Sequence, residues 1–199
     1  MNYSESIREG QELSVEVTSG IWVVIEDKRK QILSVVENNP EQNIWKKKWQ
    51  EWLIFGKKEQ QEMAIEAAIR EVQEEAGLCI GYGDLKLEWD LEFIYNKRKK
   101  IQLAIFRAFV DDFSDIEQIS DEEIGAINVT SYKEILEKWQ KNNSLIRPLT
   151  LESIYIALRR NWEKFRCETL RGWEYDERYI FELEKISQKI YNLLKEKWY

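Results

Sequence analysis

Histidine is absent from this sequence of 199 residues, and cysteine and proline each occur only twice. Without histidine the chain cannot use Ser-His-Asp or Cys-His catalysis, and it lacks the commonest zinc ligand. Any acid–base chemistry must therefore be carried by glutamate, aspartate, lysine, tyrosine or water. Cys79 and Cys167 are far apart and match no metal or redox spacing, which indicates two free thiols in a reducing compartment.

Long apolar runs are also missing. The amino-terminal stretch MNYSESIREGQELS has no apolar centre of the kind found in signal peptides, and no run is long enough to span a membrane. The net charge of −7 disfavours general binding to nucleic acid, which depends on neutralising phosphates. We therefore expect a soluble, cytoplasmic protein without a membrane partner or a nucleic-acid partner. A hydrophobic content of 43% suffices for one domain with a good core and a small extension.

The most informative stretch is GKKEQQEMAIEAAIREVQEEAGL, which runs from Gly56 to Leu78. Its glutamates Glu71, Glu74 and Glu75 are three and four residues apart, so on a helix they are neighbours. Such a cluster of like charges is unfavourable unless a positive charge lies against it, and hard divalent cations prefer carboxylate oxygens. The stretch therefore predicts a metal site, with Mg²⁺ as the expected ion.

The same stretch has the pattern of an amphipathic helix. Its apolar stripe consists of Ile65, Ile69, Val72 and Ala76, which recur at helical spacing. Gly77 follows at the position where a helix end favours a left-handed residue. We expect one face of this helix to pack on the core while the glutamates lie beside it.

The spacing of these residues resembles the Nudix box of Nudix hydrolases at every defined position. The resemblance implies an α/β fold, an α/β/α sandwich around a mixed sheet. It also implies a hydrolase that uses Mg²⁺ or Mn²⁺ to cleave the pyrophosphate linkage of a nucleoside diphosphate joined to another group X. The matching order is Gly56, five residues, Glu62, seven residues, Arg70-Glu71, apolar Val72, one residue, Glu74-Glu75, one residue, Gly77 and apolar Leu78.

The resemblance also implies roles for individual residues. Glu74 and Glu75 are expected metal ligands, and Glu71 is expected to be either a ligand or the general base, so that all three are catalytic candidates. Arg70 is expected to hold the acidic cluster through an ion pair with Glu62. The structural positions of the motif are Gly56, Glu62, Arg70 and Gly77.

Two positions depart from the family pattern. Ile54-Phe55 stands where many members have Pro-Gly, and Gln61 stands where a glycine commonly precedes the first glutamate. These departures bear on the tight loop geometry and on a backbone carbonyl that often binds metal. They leave open the alternative that the chain is a catalytically silent Nudix-fold module, which binds a nucleotide metabolite or a protein.

Candidates outside the box carry weaker signals. Glu122 or Glu123 in an acidic stretch is a candidate for a further carboxylate, with a solvated loop as the alternative interpretation. Trp52 and Tyr95 are possible substrate contacts, with core packing as the alternative. The segment from Trp45 to Trp49 encloses three lysines; we interpret it as a solvated basic loop with its tryptophans turned inward, rather than as a nucleotide site.

The chain order predicts the remaining organisation. We expect a strand over 13–17, a turn at Ser19-Gly20, further strands over 21–25 and 31–36, a long hairpin over 85–110, and a capping box at Ser131 and Glu134. Residues 1–147 form the predicted Nudix domain. Residues 148–199 form a predicted helical extension that packs on this domain or forms a homodimer interface.

Overall fold

The computed structural model describes residues 16–38, 48–96, 99–116, 124–147, 150–151, 153–154, 188 and 191–192. Its strands and helices follow the predicted order except at the start, where Glu16–Asp27 forms one strand in place of the two predicted around Ser19-Gly20. The elements are β1 (Glu16–Asp27), β2 (Gln31–Glu37), β3 (Glu51–Trp52), β4 (Ile54–Lys57), α1 (Ala64–Ala76), β5 (Leu85–Asn96), β6 (Lys99–Val110), β7 (Ile124–Ser131), α2 (Tyr132–Lys141) and a 3-10 turn (Asn143–Leu145).

The described strands form one mixed sheet of seven strands. Its longest path has the order β3-β2-β1-β6-β5, while β4 pairs with β1 and β7 pairs with β2. The central pair, β1 and β6, is parallel along its whole length, from Glu16 beside Lys99 to Asp27 beside Val110. The other pairings between strands are antiparallel. A mixed sheet with helices on it is the α/β Nudix-like architecture that the resemblance predicted.

Side chains alternate between the two faces of β1, and those on one face pack against α1. Ile21, Val23 and Ile25 belong to the main hydrophobic core, which also contains Ala68 and Val72 of α1. The intervening residues of β1 point to the opposite face. Helix α1 therefore lies on one face of the sheet, against β1 and β4, and its glutamates project beside that contact.

The predicted turn at Ser19-Gly20 is wrong, because β1 continues through both residues. Gly20 is present for a packing reason instead. A Cβ atom at Gly20 would lie 3.3 Å from the Phe55 ring and 3.4 Å from the Leu103 side chain. The glycine thus lets an aromatic ring from β4 lie over the strand, and it does not mark a change of chain direction.

Helix α2 begins with the predicted capping box. The Ser131 hydroxyl accepts a hydrogen bond from the Glu134 backbone N–H, and the Glu134 carboxylate accepts one from the Ser131 N–H at 2.7 Å. The helix is tied to the sheet by Tyr132, whose hydroxyl donates to Glu26 Oε2 at 2.6 Å. Glu26 is fully buried and also accepts from Lys30 and from Arg107.

Parts of the predicted carboxy-terminal extension are described, and they contact the body of the protein. Leu151 and Ile154 are buried. The Tyr191 ring stacks on Trp139 of α2 at a centroid distance of 5.2 Å, and its hydroxyl donates to Gln140 Oε1. The division into a domain over 1–147 and an extension over 148–199 stays a prediction. Among the described residues, no helix has both the length and the apolarity needed to cross a membrane.

Candidate functional site

The site is built where β4 leads through a loop into α1. Gly56 on β4 faces α1, and the Glu71 side chain lies directly against it. A Cβ atom at position 56 would lie 1.7 Å from Glu71 Cδ and 1.9 Å from Oε1, which is far inside any allowed contact. Gly56 is therefore needed because the Glu71 carboxylate occupies the space that any side chain would fill.

Arg70 connects the loop to the glutamates of the helix. Its guanidinium donates to Glu62 Oε1 at 3.0 Å, to Glu71 Oε1 at 2.8 Å and to Glu74 Oε2 at 2.9 Å. It also donates to the Lys57 backbone carbonyl at 3.0 Å. The planar fork of arginine suits this task, because it presents several donors in fixed directions. The predicted pairing of Arg70 with Glu62 is present, and Arg70 also contacts two of the three candidate catalytic glutamates.

Glu75 is held from the strand side. Its Oε2 accepts a hydrogen bond of 3.2 Å from the Phe55 backbone N–H. Phe55 stands where many family members have glycine, and its ring packs on the other face of the sheet, 5.1 Å from Trp22 and 4.9 Å from the Arg147 guanidinium. The Phe55 ring, which replaces the usual glycine, is therefore accommodated on the face of the sheet away from α1. Its backbone N–H remains available to bind Glu75.

In the loop before α1, Gln61 adopts a backbone conformation that usually requires glycine. Gln61, where the family often has glycine, has a φ of 70°, in the left-handed region that most side chains disfavour. Glu62 then accepts from the Glu59 backbone N–H at 2.9 Å, which closes the turn before α1. At the other end Gly77 has a φ of 64°, and its N–H donates to Gln73 O at 3.0 Å. Gly77 therefore has the left-handed backbone that its position in the box predicts, whereas the left-handed backbone of Gln61 was not predicted.

The charges of the site shift its protonation equilibria. Burial raises the pKa of Glu71 above its ordinary value, although the hydrogen bond from Arg70 acts in the opposite direction. The hydrogen bond from Arg70 lowers the pKa of Glu62. The Glu62 hydrogen bond, followed by contacts with Glu71 and Glu74, raises the pKa of Arg70, which stays fully protonated.

The donor set of the helix fits a hard divalent cation. Glu71 and Glu74 each use one carboxylate oxygen for Arg70, which leaves the second oxygen of each for a ligand. Glu74 is 59% exposed, while Glu71 is only 12% exposed. Within the described part of the chain, no three acidic or cysteine side chains are already gathered as a metal site. The guanidinium of Arg70 provides the neutralising charge in this conformation.

A cavity of about 720 Å³ opens beside these residues. Lys58 donates from Nζ to the Glu62 backbone carbonyl at 2.7 Å. The Lys57 ammonium, by contrast, is exposed and makes no hydrogen bond or ion pair with any part of the chain that is described. The cavity is lined by Val17, Ser19, Lys57, Lys58, Glu59, Gln60, Arg70 and Glu71.

Sequence reasoning overlooked the contribution of β1 to this cavity. Val17 and Ser19 carry no chemical motif, and only the pairing of β1 with β4 brings them beside the box. That pairing places Gly20 opposite Lys57 and Ile21 opposite Gly56. The alternating pattern of polar and apolar residues predicted a strand here, but it did not predict which strand β1 pairs with.

The other predicted site residues lie elsewhere or outside the described part. Trp52 is only 2% exposed, and the Arg147 guanidinium covers its ring at 4.0 Å from the centroid. Tyr95 lies on β5, and its side chain is not among the described ones. Glu122 and Glu123 fall outside the described residues. None of the four is brought to Glu71 by the described contacts.

The inward placement of the tryptophans in the basic segment is wrong for Trp49. This residue is 61% exposed, and the Lys48 ammonium lies 5.1 Å from the centroid of its ring. Its φ of 71° is left-handed, and its N–H donates to Glu37 O at 2.8 Å. The left-handed backbone at Trp49 directs the ring outward, and no local sequence pattern predicts this conformation. Trp45 lies outside the described residues.

Comparison with known proteins agrees with this geometry. The family model of the NUDIX domain matches residues 17–149, about two thirds of the chain. No curated protein sequence matches the chain.

Two solved structures are similar over most of the chain. The MutT protein from Methanosarcina mazei Go1 has 20% sequence identity and a TM-score of 0.52, over 78% of this chain and 99% of that chain. A NUDIX hydrolase from Nitrosomonas europaea has 18% identity and a TM-score of 0.53, over 81% of this chain and all of that chain, 100%. At these identities the likeness shows the fold, and the family model together with the complete box shows that the chain belongs to the NUDIX family.

Proposed function

We propose that the protein is a Mg²⁺-dependent hydrolase that cleaves the pyrophosphate linkage of a nucleoside diphosphate joined to a group X. The observation that carries this proposal is the arrangement of Gly56, Arg70 and Glu71. Gly56 makes room for the Glu71 carboxylate, and Arg70 connects it to Glu62 and Glu74. Such a connected polar network would be costly to bury without a use for its charges.

The metal would be held by Glu74 and Glu75, with Glu71 as a third ligand or as the base. Carboxylates are the ligands that Mg²⁺ and Mn²⁺ prefer. When bound, the ion supplies charge neutralisation at the diphosphate and orientation of the attacking water. Because the chain has no histidine, one of these carboxylates must accept the proton of that water.

The substrate would lie in the cavity beside Glu71, with its diphosphate near Lys57. The Lys57 ammonium is exposed at the rim and has no partner among the described residues, so it is available to an anion. Lys58, the next residue, is engaged by the Glu62 carbonyl. We therefore assign the phosphate contact to Lys57 and a structural role in the loop to Lys58.

A catalytically silent module is the second candidate. It is favoured by the ion pairs of Glu71 and Glu74 with Arg70, which neutralise part of their charge without a metal. A small-molecule nucleotide is the expected ligand in either case, and a homodimer through the carboxy-terminal extension is a further expectation. The two candidates differ in turnover.

The experiment is a release assay on a panel of nucleoside diphosphate derivatives, which includes nucleoside triphosphates, sugar nucleotides and dinucleoside polyphosphates. Each compound is incubated with the protein in Mg²⁺ and, separately, in excess chelator, and the products are separated and identified. The hydrolase predicts nucleotide products that form only in Mg²⁺. Binding of a panel member without any product would support the silent module instead.

A further inference from the structure

The lining of the cavity beside α1 comes from two segments of different chemistry. The box contributes charged side chains, which are those of Lys57, Lys58, Glu59, Arg70 and Glu71. Strand β1 contributes Val17 and Ser19, whose side chains have no charge. Since the box segment suits a diphosphate, the question that follows from the proposed function is what the β1 segment binds.

Strand geometry directs Val17 and Ser19 to the same side as the core residue Ile21, because residues two apart share a face. Unlike the fully buried Ile21, Val17 is 51% exposed, at the wall of the cavity. An exposed apolar side chain in a cavity favours a ligand with an apolar surface, because the contact removes that surface from water.

Ser19 has a defined hydrogen-bonding role at this wall. The parallel register pairs it with Gln102, and its hydroxyl donates to Gln102 Oε1 at 3.4 Å. Its backbone carbonyl accepts from the Lys58 N–H at 3.0 Å, which ties this part of β1 to the loop of the box. With its proton engaged, the hydroxyl oxygen of Ser19 remains an acceptor, so it suits a ligand that donates an N–H.

We infer that Val17 and Ser19 form the subsite for the nucleobase of the substrate. A base has a flat face of low polarity, which suits Val17, and an edge with ring or exocyclic N–H donors, which suits Ser19. This inference rests on the proposed function for the position of the diphosphate. It adds two specificity-determining residues outside the box and orients the nucleotide with its base toward Val17 and Ser19.

The test uses binding, so it does not depend on turnover. Ribose 5-phosphate and the monophosphates of adenosine, guanosine, cytidine and uridine are titrated into the native protein by calorimetry. The ratio of the tightest monophosphate affinity to that of ribose 5-phosphate measures the contribution of the base. We expect this ratio to exceed 1 in the native protein and to fall about 3- to 10-fold in Ser19→Ala, the size expected for one hydrogen bond.

Control variants separate the base from the phosphate. Val17→Ser should lower the same ratio, while Thr18→Ala, on the same strand with its side chain on the other face, should leave it unchanged. Lys57→Gln should weaken every ligand by a similar factor. Thermal unfolding of each variant checks that it remains folded.

The outcomes are distinct from those of the hydrolysis assay. A native ratio of 1, or a ratio that Ser19→Ala and Val17→Ser both leave unchanged, would overturn the base subsite even if the panel is hydrolysed. A ratio that both variants lower would support the subsite even if no compound is hydrolysed, and only the proposed catalysis would then fail.

Discussion

At the scale of single residues, the site depends on two backbone positions rather than on its charges alone. Gly56 provides the space for the Glu71 carboxylate, and Gln61 adopts a φ of 70° to shape the loop. The first was readable from the box, because a glycine at a fixed position implies a close approach. The second was not, because glutamine gives no sign of a left-handed backbone, and only closure of the loop imposes it.

Gly56→Ala tests the close approach. The added Cβ would overlap Glu71 Cδ, so the carboxylate must swing out of its position beside Arg70. We expect turnover to fall about 100-fold, the size expected for a displacement of about an ångström at a reacting group. Gly83→Ala is the matched control, since a Cβ there meets nothing within 4 Å. Equal activity of the two variants would contradict the assigned role of Gly56.

Gln61→Gly tests the cost of the left-handed residue. Glycine adopts a φ of 70° without strain, although it loses more freedom on folding. We expect the free energy of unfolding in urea to rise by about 0.5–1 kcal/mol, since the left-handed penalty of about 1–2 kcal/mol exceeds the entropic loss. Gln60→Gly has no such strain to relieve, so it should lower the free energy of unfolding. A loss of stability in both variants would contradict the argument.

At the scale of secondary-structure elements, local chemistry was predictable and long-range pairing was not. The amphipathic spacing of α1 and the capping box of α2 depend only on residues that are close in the sequence. Both helices form where the sequence predicts them. Whether Ser19-Gly20 turns or continues depends on Phe55 and Leu103, which come from other strands. The place of Val17 in the cavity wall likewise depends on the pairing of β1 with β4. These features follow from register, which no local pattern contains.

Arg70→Lys tests the link between the loop and α1. Lysine keeps the charge but cannot donate in the directions of Glu62, Glu71 and the Lys57 carbonyl together. We expect the free energy of unfolding to fall by about 1–3 kcal/mol, the size of hydrogen bonds lost to partly buried carboxylates, with a parallel loss of turnover. Arg29→Lys at an exposed turn is the control and should be neutral within about 0.5 kcal/mol.

Glu26 joins β1, β6 and α2, and it should make stability depend on pH. Burial opposes its ionisation, but hydrogen bonds from Lys30, Tyr132 and Arg107 prevail and lower its pKa below the ordinary 4.5. A lowered pKa stabilises the fold above the unfolded value near 4.5, and this contribution is lost as the pH falls through the folded value.

The test compares Glu26→Gln with the native protein by urea unfolding at pH 7 and at pH 3. At pH 7 the variant should be less stable by about 3–5 kcal/mol, because the partly buried Arg107 and the buried Tyr132 lose the carboxylate that both contact. The difference should shrink at pH 3, which lies below the unfolded pKa, because the unfolded native chain then binds a proton at Glu26 more readily than the folded chain does. Glu137→Gln, in a surface pair with Lys133, should show neither effect. A difference that is independent of pH would contradict the account.

At the scale of the whole molecule, the fold places one helix of glutamates beside a cavity that two different segments complete. The box supplies the charged wall, and the amino-terminal half of β1 supplies the uncharged wall. The charged wall was predictable, because a chain without histidine depends on carboxylates for acid–base chemistry and the box supplies them. The uncharged wall was not predictable, because it depends on the parallel pairing of β1 with β6 and its antiparallel pairing with β4.

The central claim is that the glutamates of α1 hold Mg²⁺ for diphosphate cleavage. The most direct measurement follows turnover of the best panel compound, together with calorimetric Mg²⁺ binding, in the native protein, Glu74→Gln and Glu137→Gln. Both glutamates are exposed on helices, but only Glu74 belongs to the box.

We predict that Glu74→Gln lowers turnover and Mg²⁺ affinity by at least about 10- to 100-fold, while Glu137→Gln behaves as the native protein. A folded Glu74→Gln protein with native Mg²⁺ affinity and native turnover would contradict the account.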